Sequence, residues 1–359
     1  MAVPRTTIWD CAPHTKAKHL ILEKYLNAWF PILGRYHQRI IYMDGFAGPG
    51  EYTGGEKGSP IVALNLAKNH TANFTGELNF YFVENDAKRF DHLKSMVEED
   101  KYPANFTIDL QQGEFANVLA NDLDNFDQKG LPNAPIFAFI DPFGFSSVPY
   151  HLIHRLLRMA RTEVFVYFAR NAVNRHLEND KVEHHIAELF GMETITIPKG
   201  PNRMNEIKNL YERRLKEAAQ FVGSFTMIDD RGVPIYDLFF ASNSVKGYVK
   251  MKEAMWSVDE NGGFRFSDKD DPNQLMLLRK DPANDVVVLI KDVGSTSKLV
   301  PIEKMEAWIE TKTVYLVKHL RAALRLMEED GSITVEELKK DGSRRRGKTF
   351  AEGTQINFS

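Results

Sequence analysis

Cysteine is nearly missing from this chain: Cys11 stands alone among 359 residues. One thiol excludes an intrachain disulfide and any zinc or iron–sulfur site built on several cysteines, so a reducing cytoplasm is the expected compartment. Long apolar runs are missing too. None reaches the roughly 18 residues that a bilayer span needs, and the first residues lack the charged-then-apolar order of a secretory signal. The expectation is a soluble, cytoplasmic protein with no membrane partner. There is no excess of charge: 46 Lys and Arg against 49 Asp and Glu leave a net −3, which gives no global pull toward nucleic acid. No internal repeat is visible, and the dinucleotide spacing G-x-G-x-x-G does not occur.

What is there is an apolar run that ends in an acid and breaks into glycines: Ile40-Ile41-Tyr42-Met43-Asp44-Gly45-Phe46-Ala47-Gly48-Pro49-Gly50. Apolar residues on both faces suit a central parallel strand, and the glycines let the backbone turn tightly and approach a ligand closely. A second apolar strand, over 78–83, ends at Glu84, where a ribose-binding carboxylate is expected. It lies farther on than the usual interval of about twenty residues, and the Gly/Glu-rich loop at 51–57 accounts for the excess. A third apolar strand, over 134–140, runs into Asp141-Pro142-Phe143-Gly144.

Between these strands the periodicity predicts helices. The first spans 14–33, where Leu22, Leu26, Trp29 and Leu33 recur at spacings of four and three. His14, Thr15, Lys16 and Lys18 lie at its start, where cations oppose the helix dipole unless an anion or a cofactor meets them. Ser59 and Pro60 open another helix as N-cap and first helical residue. Helices over 86–99, 114–123 and 150–159 alternate with strands over 105–110 and 163–168, and Arg170, Asn171 and Asn174 follow the last. The order strand, helix, strand, helix argues for an open parallel sheet with ligands at its carboxyl edge. A long helical region over 181–219 then gives way to two strands, 224–228 and 235–242, whose short turn makes them antiparallel.

A parallel sheet closed by an antiparallel hairpin resembles the Rossmann-like methyltransferases that use S-adenosylmethionine (SAM). That resemblance implies SAM as cofactor, with Asp44, Gly45, Gly48 and Gly50 around its methionine part and Glu84 on the ribose hydroxyls. It puts Glu114 opposite the adenine amino group. Asp141-Pro142-Phe143-Gly144 is similar to the Asp/Asn-Pro-Pro-aromatic motif of methyltransferases acting on exocyclic amino groups. In that motif a carboxylate and an adjacent carbonyl accept the amino protons and aim the nitrogen lone pair at the methyl, while the aromatic stacks on the base. The implied catalytic residues are Asp141, Pro142 and Phe143. The sequence departs from the motif by placing Phe143 at the second proline and Gly144 at the aromatic position.

Several phrases together resemble the three-Cys-motif partner protein family (TcmP): His14-Thr15-Lys16, the glycine turn, Gly58-Ser59-Pro60, Asp141–Gly144, Met251-Lys252-Glu253-Ala254-Met255-Trp256 and Gly262-Gly263-Phe264-Arg265-Phe266-Ser267. The family is bacterial and occurs alongside a radical-SAM-like protein with three cysteines, so the resemblance implies such a partner.

The expected organisation is a Rossmann-like α/β domain over 1–255, an extension over 256–300 and a winged-helix-like module over 301–359. Charged and Ser/Gly-rich turns at 268–273 and 294–297 mark the extension, with Val286–Ile290 as a strand or short buried piece between them. In the module, Leu316, Leu320, Leu324 and Met327 mark a helix face, and a closing strand spans 354–358. Arg344, Arg345, Arg346 and Lys348 form the one concentrated basic patch, suited to phosphates of DNA or RNA or to a solvated hairpin tip. Two functions stay open at this point: a SAM-dependent methyltransferase acting on an amino group of nucleic acid, and a non-catalytic partner that uses the fold to bind protein or nucleic acid. A nicotinamide-dependent oxidoreductase is disfavoured by the closing hairpin.

Overall fold

A computed structural model describes residues 6–129, 134–144, 148–259, 264–267, 281–294, 298–336 and 345–358. The chain divides into two compact units, one of residues 1–258 with 265–274, the other of 259–264 with 275–359.

The first unit alternates as the periodicity predicts: α1 (Pro13–Gly34), β1 (Arg39–Asp44), α2 (Ser59–Lys68), β2 (Glu77–Glu84), α3 (Ala87–Glu99), β3 (Phe106–Gln112), α4 (Phe115–Lys129), β4 (Ile136–Ile140), α5 (Tyr150–Arg158) and β5 (Thr162–Phe168). There follow α6 (Arg170–His176), α7 (Glu183–Phe190), α8 (Arg203–Lys216), β6 (Phe221–Ile228), β7 (Pro234–Ser242), α9 (Val245–Trp256) and β8 (Arg265–Ser267). The strands form one sheet in the order β3-β2-β1-β4-β5-β7-β6-β8. β1 pairs in parallel with β2 and β4, as do β2 with β3 and β4 with β5, while β7 runs antiparallel to both β5 and β6. The molecule is thus α/β with a mostly parallel sheet closed by an antiparallel hairpin.

Burial explains which strands read clearly. Every residue of β4 and β5 is buried, and their sequences, IFAFI and TEVFVYF, are apolar almost throughout. β3 lies at the sheet edge, and its sequence FTIDLQQ alternates. α1 packs on β1, α2 and α9, burying Ile21, Leu22, Tyr25, Leu26 and Trp29. Strand order reverses between β1 and β4, which opens the ligand crevice of a doubly wound sheet at the carboxyl ends of those two strands. Asp44 ends β1 and Asp141 follows β4, so the two strands deliver both acids to that crevice.

Two expectations are corrected, and one helix is added. The helical region over 181–219 is two helices, because Gly191, at φ +61°, ends α7 in the left-handed conformation. α6 directly after β5 was not expected. The apolar stretch Val286–Ile290, expected as a strand or a short buried piece, buries Val286 and Ile290 as part of α10 (Pro282–Gly294) and not as a strand. Ala283, Val286 and Ile290 are buried at spacings of three and four, the helical period, which a short apolar run conceals.

The second unit continues with β9 (Leu299–Pro301), α11 (Ile302–Lys312), α12 (Val317–Glu329), β10 (Ile333–Val335) and β11 (Gln355–Phe358). Its three strands form a sheet in the order β10-β11-β9, with both pairings antiparallel. Ile290, Ile302, Ile309, Leu320, Leu324 and Ile356 meet in its core. The stretch read as an extension therefore supplies β8 to the first unit and core side chains to the second. The phrase Gly262-Gly263, the turn at 268–273, the turn residues 295–297 and Arg344 lie outside the described residues.

Candidate functional site

The glycine turn is fixed from both sides. Gly45 donates its N–H to the Phe139 carbonyl at 3.0 Å, Ala47 to Val83 at 2.9 Å, and Gly58 to Gly50 at 2.7 Å. Each glycine answers a different need. A Cβ on Gly45 would lie 2.7 Å from the Phe115 ring, so this position is reserved for packing. Gly48 and Gly50 have φ of +65° and +87°, which side-chain-bearing residues rarely adopt.

Asp44 is fully buried beneath this turn. Its Oδ1 accepts the Phe46 N–H at 3.2 Å. Burial pushes its acid up to about 7; hydrogen bonds from Ser59 and the Phe46 N–H oppose that rise, nearby Asp141 adds to it, and Lys18 opposes it. Glu84 is likewise buried, and its two oxygens accept the N–H groups of Gly48 and Asp86, both at 2.8 Å. It ties the end of β2 to the glycine turn, and burial raises its acid despite those bonds. A carboxylate offers about four lone pairs, so two remain for a ligand's hydroxyls.

A cavity of about 140 Å³ opens above the turn, lined among others by Trp9, Lys18, Gly48, Gly50, Ser59, Asp141, Phe143 and Tyr167. Lys18, on α1, forms an ion pair with Asp141, and their side chains are 5% and 20% exposed. The sequence marked Lys18 for an anion but gave no partner, and 123 residues separate the two. Lys16 turns elsewhere, to Glu56 at 2.7 Å.

Phe143 packs edge-on against Trp9 at 5.5 Å, and the Arg89 guanidinium lies over both rings, 4.9 Å from Trp9 and 5.4 Å from Phe143. Trp9 also meets Tyr52 edge-on at 5.7 Å, and its carbonyl accepts the Thr53 N–H at 3.1 Å. This cluster was missed: nothing in the spacing of Trp9, Arg89 and Phe143 joins them. The Pro142 carbonyl accepts the Gly144 N–H at 3.0 Å.

Gly48, Gly50, Asp141, Pro142 and Phe143 line the cavity, whereas Asp44, Gly45, Glu84, Glu114 and Arg170 do not. Glu114 is exposed just ahead of α4, where its carboxylate accepts from the Asn117 amide at 3.0 Å. Arg170 is buried against Asp237 on β7, with Nε 2.9 Å from Oδ2, and Thr226 donates to the same carboxylate at 2.7 Å. It clamps the end of β5 to the hairpin. In the second unit, Arg345 pairs with Glu328, Lys348 with Glu329 at 2.5 Å, and Arg346 is exposed. No cluster of His, Cys, Asp and Glu able to hold a metal occurs among the described residues, and no helix there is long and apolar enough to cross a membrane.

Fold and site together have the layout of a Rossmann-like α/β protein whose ligand crevice sits at the switch in strand order. No family model matches the chain, and no curated protein does. Among solved structures, a Klebsiella pneumoniae protein named as an O-methyltransferase is 12% identical over 62% of this chain and 80% of its own, at a TM-score of 0.33. A duf574 family protein from Streptomyces avermitilis is 9% identical over 64% and 83%, at 0.36. A geranyl diphosphate methyltransferase in complex with GPP and sinefungin is 11% identical over 64% and 78%, at 0.29.

Proposed function

We propose that the first unit is a SAM-dependent methyltransferase of the TcmP type. The observation that supports this is the glycine turn itself: buried Asp44 and Glu84 accept its backbone N–H groups, and Asp141 lines the cavity beside it. Asp44 suits the ammonium of the methionine part, Glu84 has acceptors left for the ribose hydroxyls, and Gly48 and Gly50 let the backbone close on the ligand. Bound there, SAM would supply an activated methyl. Asp141, at the cavity wall, is the acceptor-orienting residue of this reading, and an exocyclic amino group of nucleic acid is the acceptor its motif favours.

Calorimetric titration with SAM or S-adenosylhomocysteine tests the cofactor, and no heat at high micromolar ligand rejects it. Asp141→Ala tests the orienting role: methyl transfer should vanish while SAM affinity stays within about fivefold, because a contact made with the acceptor is lost and the cofactor's own partners remain.

The second unit supports a winged-helix-like reading, since its order of helix, strand, two helices and two strands ends in a β10–β11 hairpin that carries the basic run. We propose it as the nucleic-acid contact, with Arg346 the exposed phosphate ligand among the described residues of the run, because Arg345 and Lys348 already face carboxylates of α12. A partner protein bearing three cysteines is the alternative occupant implied by the family resemblance.

A further inference from the structure

The cavity has a charge layout that assigns a role to Lys18, and this inference rests on the cofactor reading above. Among the described residues lining the cavity, Lys18 is the sole lysine or arginine, against Asp10, Glu51 and Asp141, with Asp44 beneath. His19 supplies no second cation, because burial and the neighbouring Lys18 push it down to about 3. Lys18 is not a surface lysine folded inward: it sits on the buried face of α1, with 5% of its side chain exposed. A charge so enclosed needs an anion, and Asp141 provides it.

The methionine part of SAM carries one ammonium and one carboxylate. The ammonium suits Asp44. The carboxylate cannot be placed against Asp10, Glu51 or Asp141 without like-charge repulsion, and among the described lining residues Lys18 is the cation left to receive it. We infer that Lys18 receives the α-carboxylate of the methionine moiety, in competition with Asp141 for the same ammonium. Asp141 then becomes free to accept hydrogen bonds from the methyl acceptor when the carboxylate takes its place on Lys18. The Pro142 carbonyl, which accepts from Gly144, keeps a second lone pair for the same acceptor. Cofactor therefore binds before acceptor.

The test compares two ligands on the full chain by calorimetry: SAM and decarboxylated SAM, which differ by the carboxylate alone. The wild type should favour SAM by about 30-fold, the size expected for a charge-assisted pair. Lys18→Met should cut that preference to about threefold or reverse it, by weakening SAM and sparing the decarboxylated ligand, whereas Lys18→Arg should retain it. Asp141→Asn, which removes the competitor, should tighten SAM by about threefold and leave the decarboxylated ligand unchanged. An undiminished preference in Lys18→Met overturns the inference while leaving the cofactor reading standing; a wild type that binds neither ligand overturns both. If Lys18→Met does not fold, Asp141→Asn decides, and unchanged or weaker SAM binding there rejects the competition.

Discussion

Asp44 sets stability against binding, and Asp44→Asn should separate the two. The acid is fully buried, and folding moves it from its ordinary value of 3.8 to about 7, with burial the largest cause. A raised acid favours the protonated folded state, so its contribution is fully present below 3.8 and is lost as pH rises through about 7. Each unit is worth about 1.4 kcal/mol, so ionising Asp44 in the folded protein costs about 4 kcal/mol above pH 7. Asn has nearly the same shape, carries no charge and can still accept the Phe46 N–H. The variant should therefore be more stable than wild type by about 4 kcal/mol at pH 8 and by about 2 kcal/mol at pH 5.5. Urea unfolding followed by tryptophan fluorescence at both pH values measures this. The same change removes the counter-charge for the methionine ammonium, so SAM affinity at pH 8 should fall at least about tenfold. A variant less stable than wild type at pH 8, or a difference that does not grow with pH, shows that Asp44 is not held protonated by burial.

Glu84→Ala should weaken SAM binding by about 30-fold, since two charge-assisted bonds to ribose hydroxyls are lost, and equal affinity in titration would return Glu84 to a purely structural tie between β2 and the turn. Gly50→Ala should destabilise by about 1–3 kcal/mol through strain and overpacking, because φ is +87° and the new Cβ would sit 2.9 Å from Leu93 and 3.1 Å from the Met96 sulfur. Gly55→Ala, at φ +84° with nothing within 4 Å, should show the backbone penalty alone, so equal losses for the two would remove the packing argument. For the basic hairpin, a log–log salt slope near −3 corresponds to three or four phosphate contacts. With Arg345 and Lys348 held by Glu328 and Glu329, the full chain should instead give about −2 on duplex DNA, and no binding at low salt rejects the contact.

Features that depend on neighbours along the chain were legible in the residues alone. Fully apolar runs declared the central strands because both their faces are covered, and an acid after the first strand located the ligand edge. Glycines at 48 and 50 were legible because a left-handed turn admits few other residues. The short turn before β7 announced the hairpin, since two strands so joined have one way to pair. Period failed where the run was short: Val286–Ile290 has the length of a strand, and its helical burial shows only once Ala283 is included and the helix packs on α12.

Tertiary structure alone decided the chemistry between elements. Lys18 meets Asp141 because α1 packs beside β1 and the sheet places β4 next to it, an adjacency set by strand order and not by any local pattern. The same holds for Glu84 on the Gly48 N–H, for Arg89 over Trp9 and Phe143, and for Arg170 against Asp237. Four cations in five residues read as one patch until the fold put Glu328 and Glu329 beside two of them. Periodicity records which face of an element is buried; which buried faces meet, and therefore which charges neutralise one another, is fixed when the strands take their order.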